Sequence, residues 1–299
     1  MAQHAQRSTE QAGAYIGLDA WSDDRILAAL VEGQERAIAA VKAATPAIAR
    51  SATELARRIK SGGTLYYAGA GTSIRVAVQD GSELPATFGM PEKQIAYLIA
   101  GGRNAMFDTL ADAEDDTADG AKQAQACGSA DALIAVAASG STPFTIAAAE
   151  TAKSNGTFII AVVNNKASKL GSLADVEIVL DSGPEVIAGS TRMGAGTAQK
   201  AALNFLSTLT HIKLGAVHDG MMVNVETGNI KLRRRAAGIV SKITGASAEA
   251  AEAALAATGG IVKPAILICA GAKTNDAARR ILTEADGNLR LALSRLAAP

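Results

Sequence analysis

Apolar residues fall in short unbroken runs through the middle of the chain and at three- to four-residue intervals toward both ends. The runs Thr64–Ala68, Ile95–Ala100, Ala132–Ala137, Phe158–Val163 and Val176–Leu180 lack polar alternation, and helix-compatible stretches separate most of them. An alternating strand buries one face, whereas a continuously apolar strand is covered on both, as in a parallel sheet. The pattern predicts an α/β fold with a doubly wound parallel sheet.

The flanks read as helices. Residues 1–21 show no strong period and are expected to form an arm. Ser22 is placed to cap a helix that opens with Asp23 and Asp24 and carries Ile26, Leu27, Leu30 and Val31. A second helix is expected after Pro46, through Ile48, Leu55 and Ile59 to Gly62–Gly63, and the two read as packing or dimerisation elements. Gly196–Leu214 predicts a long helix, and Ser247–Thr258, Pro264–Ala270, Thr274–Ala285 and Asn288–Leu296 shorter ones, with Gly259, Gly271 and Gly287 at their ends. By period alone Ile261–Ala270 also fits a strand, but Pro264 suits a first helical turn. The expected division is an arm with helices over 1–60, a ligand-binding domain over 61–239 and a small helical subdomain over 240–299.

With 299 residues the chain is long enough for two domains at about 150 residues each. Its formal net charge of zero offers no long-range attraction to nucleic acid or anionic lipid, and 3% aromatic content leaves few platforms for stacking bases. Cys127 and Cys269 are too few for a disulfide framework, and His211 and His218 stand apart from other ligand types, so no metal site is expected. Lys231, Arg233, Arg234 and Arg235 read as a solvated helix face. No segment approaches the ~20 apolar residues of a membrane span, and the N-terminus lacks a signal pattern. A cytoplasmic protein acting on a small molecule, without nucleic-acid or membrane partners, is expected.

Three hydroxyl-bearing turns suggest what that molecule carries. Ala138-Ser139-Gly140-Ser141-Thr142-Pro143 follows an apolar run and leads into a helix over Phe144–Ser154. Backbone N–H groups at a helix start and the helix dipole favour an anion, so added hydroxyls make a phosphate seat without lysine. Gly69-Ala70-Gly71-Thr72-Ser73 occupies a similar junction; Ile74 at the third glycine position and the lack of an acidic residue ending a second strand about 20 residues on fail the dinucleotide fingerprint. Gly71, Thr72 and Ser73 are therefore candidates for a second binding turn. In Gly189-Ser190-Thr191-Arg192, Ser190 or Thr191 is either a helix cap or a third ligand contact.

Two acidic positions suit proton transfer. Glu83 precedes Leu84-Pro85, and a residue before proline avoids helical geometry, so Glu83 is expected at a helix C-terminus. There the dipole opposes its charge by ~0.3–1 kcal/mol, which suits a proton donor. Glu114-Asp115-Asp116 opens a helix, where a carboxylate stays ionised as a general base requires. A solvated glutamate and ordinary first-turn acids are the plain alternatives.

These segments, with Glu83-Leu84-Pro85-Ala86-Thr87-Phe88-Gly89, Ile99-Ala100-Gly101-Gly102 and Ala195-Gly196-Thr197-Ala198-Gln199-Lys200, resemble the N-acetylmuramic acid 6-phosphate etherases from Thr9-Glu10-Gln11 to the terminal helices. The resemblance implies a sugar isomerase (SIS) type α-β-α sandwich, a homodimer, and a carbon–oxygen lyase in cell-wall sugar recycling that needs no cofactor. It releases D-lactate and N-acetylglucosamine 6-phosphate, with Glu114 as base and Glu83 as acid. Ser139, Gly140, Ser141, Thr142, Ser190 and Thr191, with Gly71–Ser73, then hold the phosphosugar. The family usually has glycine where Ile74 stands, arginine at Ser141, lysine at Gly194 and Arg-Asn at Ala12-Gly13, departures expected to bear on affinity or substrate choice. A non-catalytic phosphosugar sensor and an aldose–ketose isomerase are the competing readings.

Overall fold

The computed structural model describes residues 8–11, 15–108, 110 and 112–297, so Ala12 and Gly13 lie outside the described residues. The chain divides into two compact units, Met1–Ser82 with Lys93–Ser207, and Glu83–Glu92 with Thr208–Pro299.

In the first unit each of the five apolar runs is a strand: β1 (Leu65–Gly69), β2 (Ile95–Ile99), β3 (Ala132–Ala137), β4 (Phe158–Val163) and β5 (Val176–Val179). They pair in parallel in the order β2-β1-β3-β4-β5, with Leu65 in register with Ile95 on one side and Ala132 on the other. The order reverses at β1, and in such a sheet a crevice opens beyond the carboxyl ends of the two strands flanking the switch, here β1 and β3.

Side chains alternate between the faces. Tyr66, Leu133, Ala135, Ile159 and Ala161 pack with Phe144 and Ala148 of α4 (Pro143–Ser154), Leu170 of α5 (Lys169–Leu173) and Ala124 of α3 (Thr117–Ala124). Gly120 lets α3 approach α4, since a Cβ there would lie 2.3 Å from the Phe144 carbonyl oxygen. On the other face Tyr67, Ile134 and Ile160 are fully buried. The Tyr67 hydroxyl donates to Asp80 of α2 (Gly71–Phe88) at 3.1 Å, and the other Asp80 oxygen accepts from Asn204 at 2.7 Å and Ser207 at 2.8 Å, both on α6 (Gly194–Lys213). With α1 (Asp23–Lys60) against β5, helices cover both faces of the sheet, as an α-β-α sandwich requires.

The two helices expected on either side of Pro46 are one helix of 38 residues. Proline removes the N–H that would bond the Lys42 carbonyl. The Thr45 hydroxyl donates to that carbonyl instead, at 2.8 Å, and Pro46 itself faces solvent. The buried stripe Val41, Ala44, Ile48, Ala52, Leu55 and Ile59 runs on through the proline, so packing outweighs the lost hydrogen bond.

The second unit holds the antiparallel pair β6 (Val217–His218) and β7 (Met221–Met222) and five helices: α7 (Ile230–Thr244), α8 (Ala248–Ala257), α9 (Val262–Cys269), α10 (Asn275–Glu284) and α11 (Leu289–Ala297). Alanines 236, 251, 265, 278 and 292 let these short helices approach closely around Ile266, Leu267 and Leu289. Asn229, Ser247 and Thr274 accept from backbone N–H groups in the first turns of α7, α8 and α10, which fixes where those helices begin. The basic cluster lies on α7, and Lys231, Arg233, Arg234 and Arg235 are exposed. The Lys263 ammonium is buried and donates to the Gly287 carbonyl at 2.8 Å, while desolvation pushes its pKa down to about 8. Among the described residues no helix is long and apolar enough to cross a membrane.

Candidate active site

A cleft of about 590 Å³ opens beyond β1 and β3, a volume in the range of small-molecule sites. Its walls include Gly71, Thr72 and Ser73 from the turn after β1, Ser139, Ser141 and Thr142 from the turn after β3, and Thr191. Gly140 and Ser190 are not among the lining residues. Gly140 takes a left-handed φ of 64°, and its carbonyl accepts the Leu170 N–H at 3.0 Å. The Ser190 carbonyl accepts the Met193 N–H at 3.2 Å.

Two helices start at the cleft. Helix α2 opens on Gly71 itself. Helix α4 opens on Pro143 behind Thr142, whose side chain makes no capping bond to its own helix. The first-turn N–H groups of a helix have no intrahelical partner, so both starts turn donors toward the cleft. In the β3 turn the Ser139 hydroxyl accepts from the Ser141 N–H at 3.2 Å and from the Ser141 hydroxyl at 3.1 Å, which orders the serines against one another.

Neither Ser190 nor Thr191 caps α6. The buried carboxylate of Glu185 does so, accepting the Gly194 N–H at 2.9 Å and the Ala195 N–H at 2.8 Å. A carboxylate on two N–H groups at a positive helix end is a strong, charge-assisted cap. The signal for it was present, since Glu185 is the acid ahead of a glycine-rich helix start.

The acidic members of the site are Glu114, Asp115 and Glu10, and among the described residues no lysine or arginine lines it. Glu114 is exposed in a short turn, Ala113–Asp115, whose position is set by the start of α3. There Asp116 is the cap, accepting the Asp119 N–H at 2.9 Å. Thr9 and Glu10 were not singled out as site residues and belong to the expected arm. Their segment is tied down: the Thr9 hydroxyl accepts from Asn165 at 3.3 Å, and the Thr9 carbonyl accepts the Gly189 N–H at 2.9 Å.

Glu83 stands elsewhere. Helix α2 does not stop before Pro85 but runs to Phe88, held by burial of Leu84 and Phe88 and closed by left-handed Gly89, whose N–H reaches the Pro85 carbonyl at 2.8 Å. Glu83 is thus inside the helix, where the dipole effect, confined to the last turn, is small. It is exposed and is not among the lining residues. It belongs to the second unit, whereas the cleft is built from the first.

The departures from the family pattern differ in consequence. Ile74 is buried and absent from the cleft wall, so its bulk does not narrow the site. Gly194 faces Glu185, with its missing Cβ 3.3 Å from a carboxylate oxygen that its own N–H and that of Ala195 engage. Of the three departures at described positions, Ser141 alone lines the cleft, and there serine stands where arginine would add a charge. Among the described residues no group of three or more His, Cys, Asp or Glu is arranged to hold a metal ion.

Residues 47–153 match the glucokinase regulatory protein N-terminal SIS domain, and residues 108–209 match the SIS domain. A phosphoheptose isomerase structure from Francisella tularensis aligns with 64% of this chain and 98% of that one, at 22% identity and a TM-score of 0.49. The N-acetylmuramic acid 6-phosphate etherase of Deinococcus radiodurans is 42% identical over 96% of this chain and 95% of its own. That of Streptomyces avermitilis is 44% identical over 90% of this chain and 87% of its own. Identity of this order, sustained across both units, settles the family: the chain belongs to the N-acetylmuramic acid 6-phosphate etherases.

Proposed function

We propose that the protein cleaves the D-lactyl ether of N-acetylmuramic acid 6-phosphate, giving N-acetylglucosamine 6-phosphate and D-lactate. The observation that carries this reading is a cleft with hydroxyls and helix-start N–H groups on two walls and the Glu114 carboxylate on a third. The first two suit a phosphate, and the third suits a proton on carbon.

In the ring-opened sugar the aldehyde acidifies the C2–H bond. Glu114 takes that proton, the C2–H electron pair becomes an enolate, and the C3–O bond breaks with its pair leaving on the lactate oxygen. An acid protonates that oxygen. Water then adds to C3 of the unsaturated aldehyde while a proton returns to C2, so the sum is one ether and one water giving two alcohols. One base and one acid suffice, and fixing the phosphate holds the reacting carbons against them.

Glu83 is our assignment for the acid. Its exposure leaves it open to a sugar bound by another copy of the chain. The working enzyme is on this reading a homodimer in the cytoplasm, with Glu83 of the partner subunit completing each site. Incubation with N-acetylmuramic acid 6-phosphate should release lactate at an enzymatic rate. Glu83→Gln and Glu114→Gln should each abolish release, and mixing the two inactive variants should restore a fraction of it. Saturable binding without lactate would instead mark a sensor, and a ketose phosphate an isomerase.

A further inference from the structure

Behind Glu114 the cleft adjoins a smaller chamber of about 170 Å³, which shares Ala70, Gly71 and Glu114 with it. The chamber is the product of the Gly101-Gly102 turn after β2. Gly101 has a φ of 77°, and a Cβ on it would lie 2.8 Å from Leu110, 3.0 Å from Ala113 and 3.2 Å from Ala105. Glycine therefore lets these three side chains fold over the turn and form an apolar wall. Arg75 of α2 braces the same segment, donating through Nε to the Met106 carbonyl and through Nη2 to the Ala105 carbonyl, both at 3.0 Å. Its Nη1 donors are not spent on those carbonyls, and Asp108 supplies an acceptor on the opposite sign of charge.

We propose that this chamber receives the 2-acetamido arm of the sugar and is the enzyme's specificity pocket for N-acylated substrates. The inference rests on the reading that a phosphosugar occupies the main cleft with C2 at Glu114. The group attached to C2 is then the one nearest the chamber mouth. Size fits: at about 30 Å³ per water the space is equivalent to five or six waters, and an acetamido group has four non-hydrogen atoms. Chemistry fits as well. The methyl meets Ala105, Ala113 and Leu110, the amide oxygen accepts from Arg75, and the amide N–H has Asp108 to donate to. The lactyl carboxylate is the other arm near this carbon, but the wall carries two carboxylates against one guanidinium. That balance favours a neutral group that both donates and accepts over an anion.

The test compares binding of N-acetylglucosamine 6-phosphate with glucose 6-phosphate, which carries a hydroxyl at C2. Wild-type protein should prefer the acetamido sugar about tenfold or more, the scale of a filled apolar pocket. Ala105→Leu, which fills the chamber, should bring the ratio near one and leave glucose 6-phosphate affinity unchanged. Leu110→Ala, at a half-exposed position, should open it and admit N-butanoylglucosamine 6-phosphate, which wild type excludes. Such a gain cannot arise from misfolding. A wild-type ratio near one, equal losses for both sugars in Ala105→Leu, or a loss confined to the lactyl-bearing substrate would overturn the assignment. Failure of the etherase reading would show separately, as absence of lactate from wild-type protein.

Discussion

The turns after β1 and β3 share one grammar, an apolar strand, a left-handed glycine, hydroxyls and a helix start, yet they are held in different ways. In the β3 turn Gly140 is enclosed: a Cβ would lie 2.3 Å from Ser168 Cβ and 2.5 Å from its Oγ, and that hydroxyl is already accepting the Gly171 N–H at the start of α5. In the β1 turn Gly71, with a φ of 54°, has nothing within 4 Å of where a Cβ would be. One turn is clamped from outside by a neighbouring helix; the other is shaped by its own backbone alone. The difference teaches that a ligand seat can have one fixed jaw and one set only locally, with similar sequences for both.

The comparison is best sharpened by first removing the chemistry and leaving both jaws intact. Glu114→Gln should lower lactate release about 100-fold or more, the scale of a lost general base, with no shift in Tm because the side chain is exposed. Next come the glycines. Gly140→Ala combines left-handed strain with an impossible contact and should cost about 3 kcal/mol or more in urea unfolding, whereas Gly71→Ala carries the strain alone, about 1–2 kcal/mol. Equal losses would break the distinction between clamped and open turns. Thr142→Val removes a hydroxyl unused by its own helix and should weaken phosphosugar binding about tenfold, the scale of one hydrogen bond to a charged group, while stability stays level.

A further effect lies outside both turns. The Lys263 pKa falls from 10.5 to about 8 on folding, so between those values the unfolded chain holds a proton that the folded chain does not. Stability of its unit should therefore rise as pH increases from 8 to 10.5 and sit on the lower plateau below pH 8. Lys263→Met should flatten that rise, read by thermal unfolding at several pH values.

The sheet was legible because burial on both faces leaves an unbroken apolar run, and each of the five strands agrees within a residue at either end. The continuity of α1 was not, because it depends on Thr45 bonding the carbonyl that Pro46 abandons, a side-chain event invisible to periodicity. Pro85 misled too, because burial of Leu84 and Phe88 carries α2 past it, and with it went the placement of Glu83. The pair β6–β7 has only two residues per strand, too few for any period to register. In the site, hydroxyls announce themselves by their positions after strands. The place of Thr9 and Glu10 depends on Asn165, 156 residues away from Thr9, and no local pattern carries that.

The cleft grips its ligand with dipoles and presents three carboxylates to it, with no cation among its described lining residues. Ordinarily added electrolyte loosens a protein's hold on phosphate because it screens an attraction. Here the screened interaction is a repulsion. Raising ionic strength should accordingly tighten phosphosugar binding, the reverse of the usual trend, and an enzyme so built gains affinity where lysine-based sites lose it.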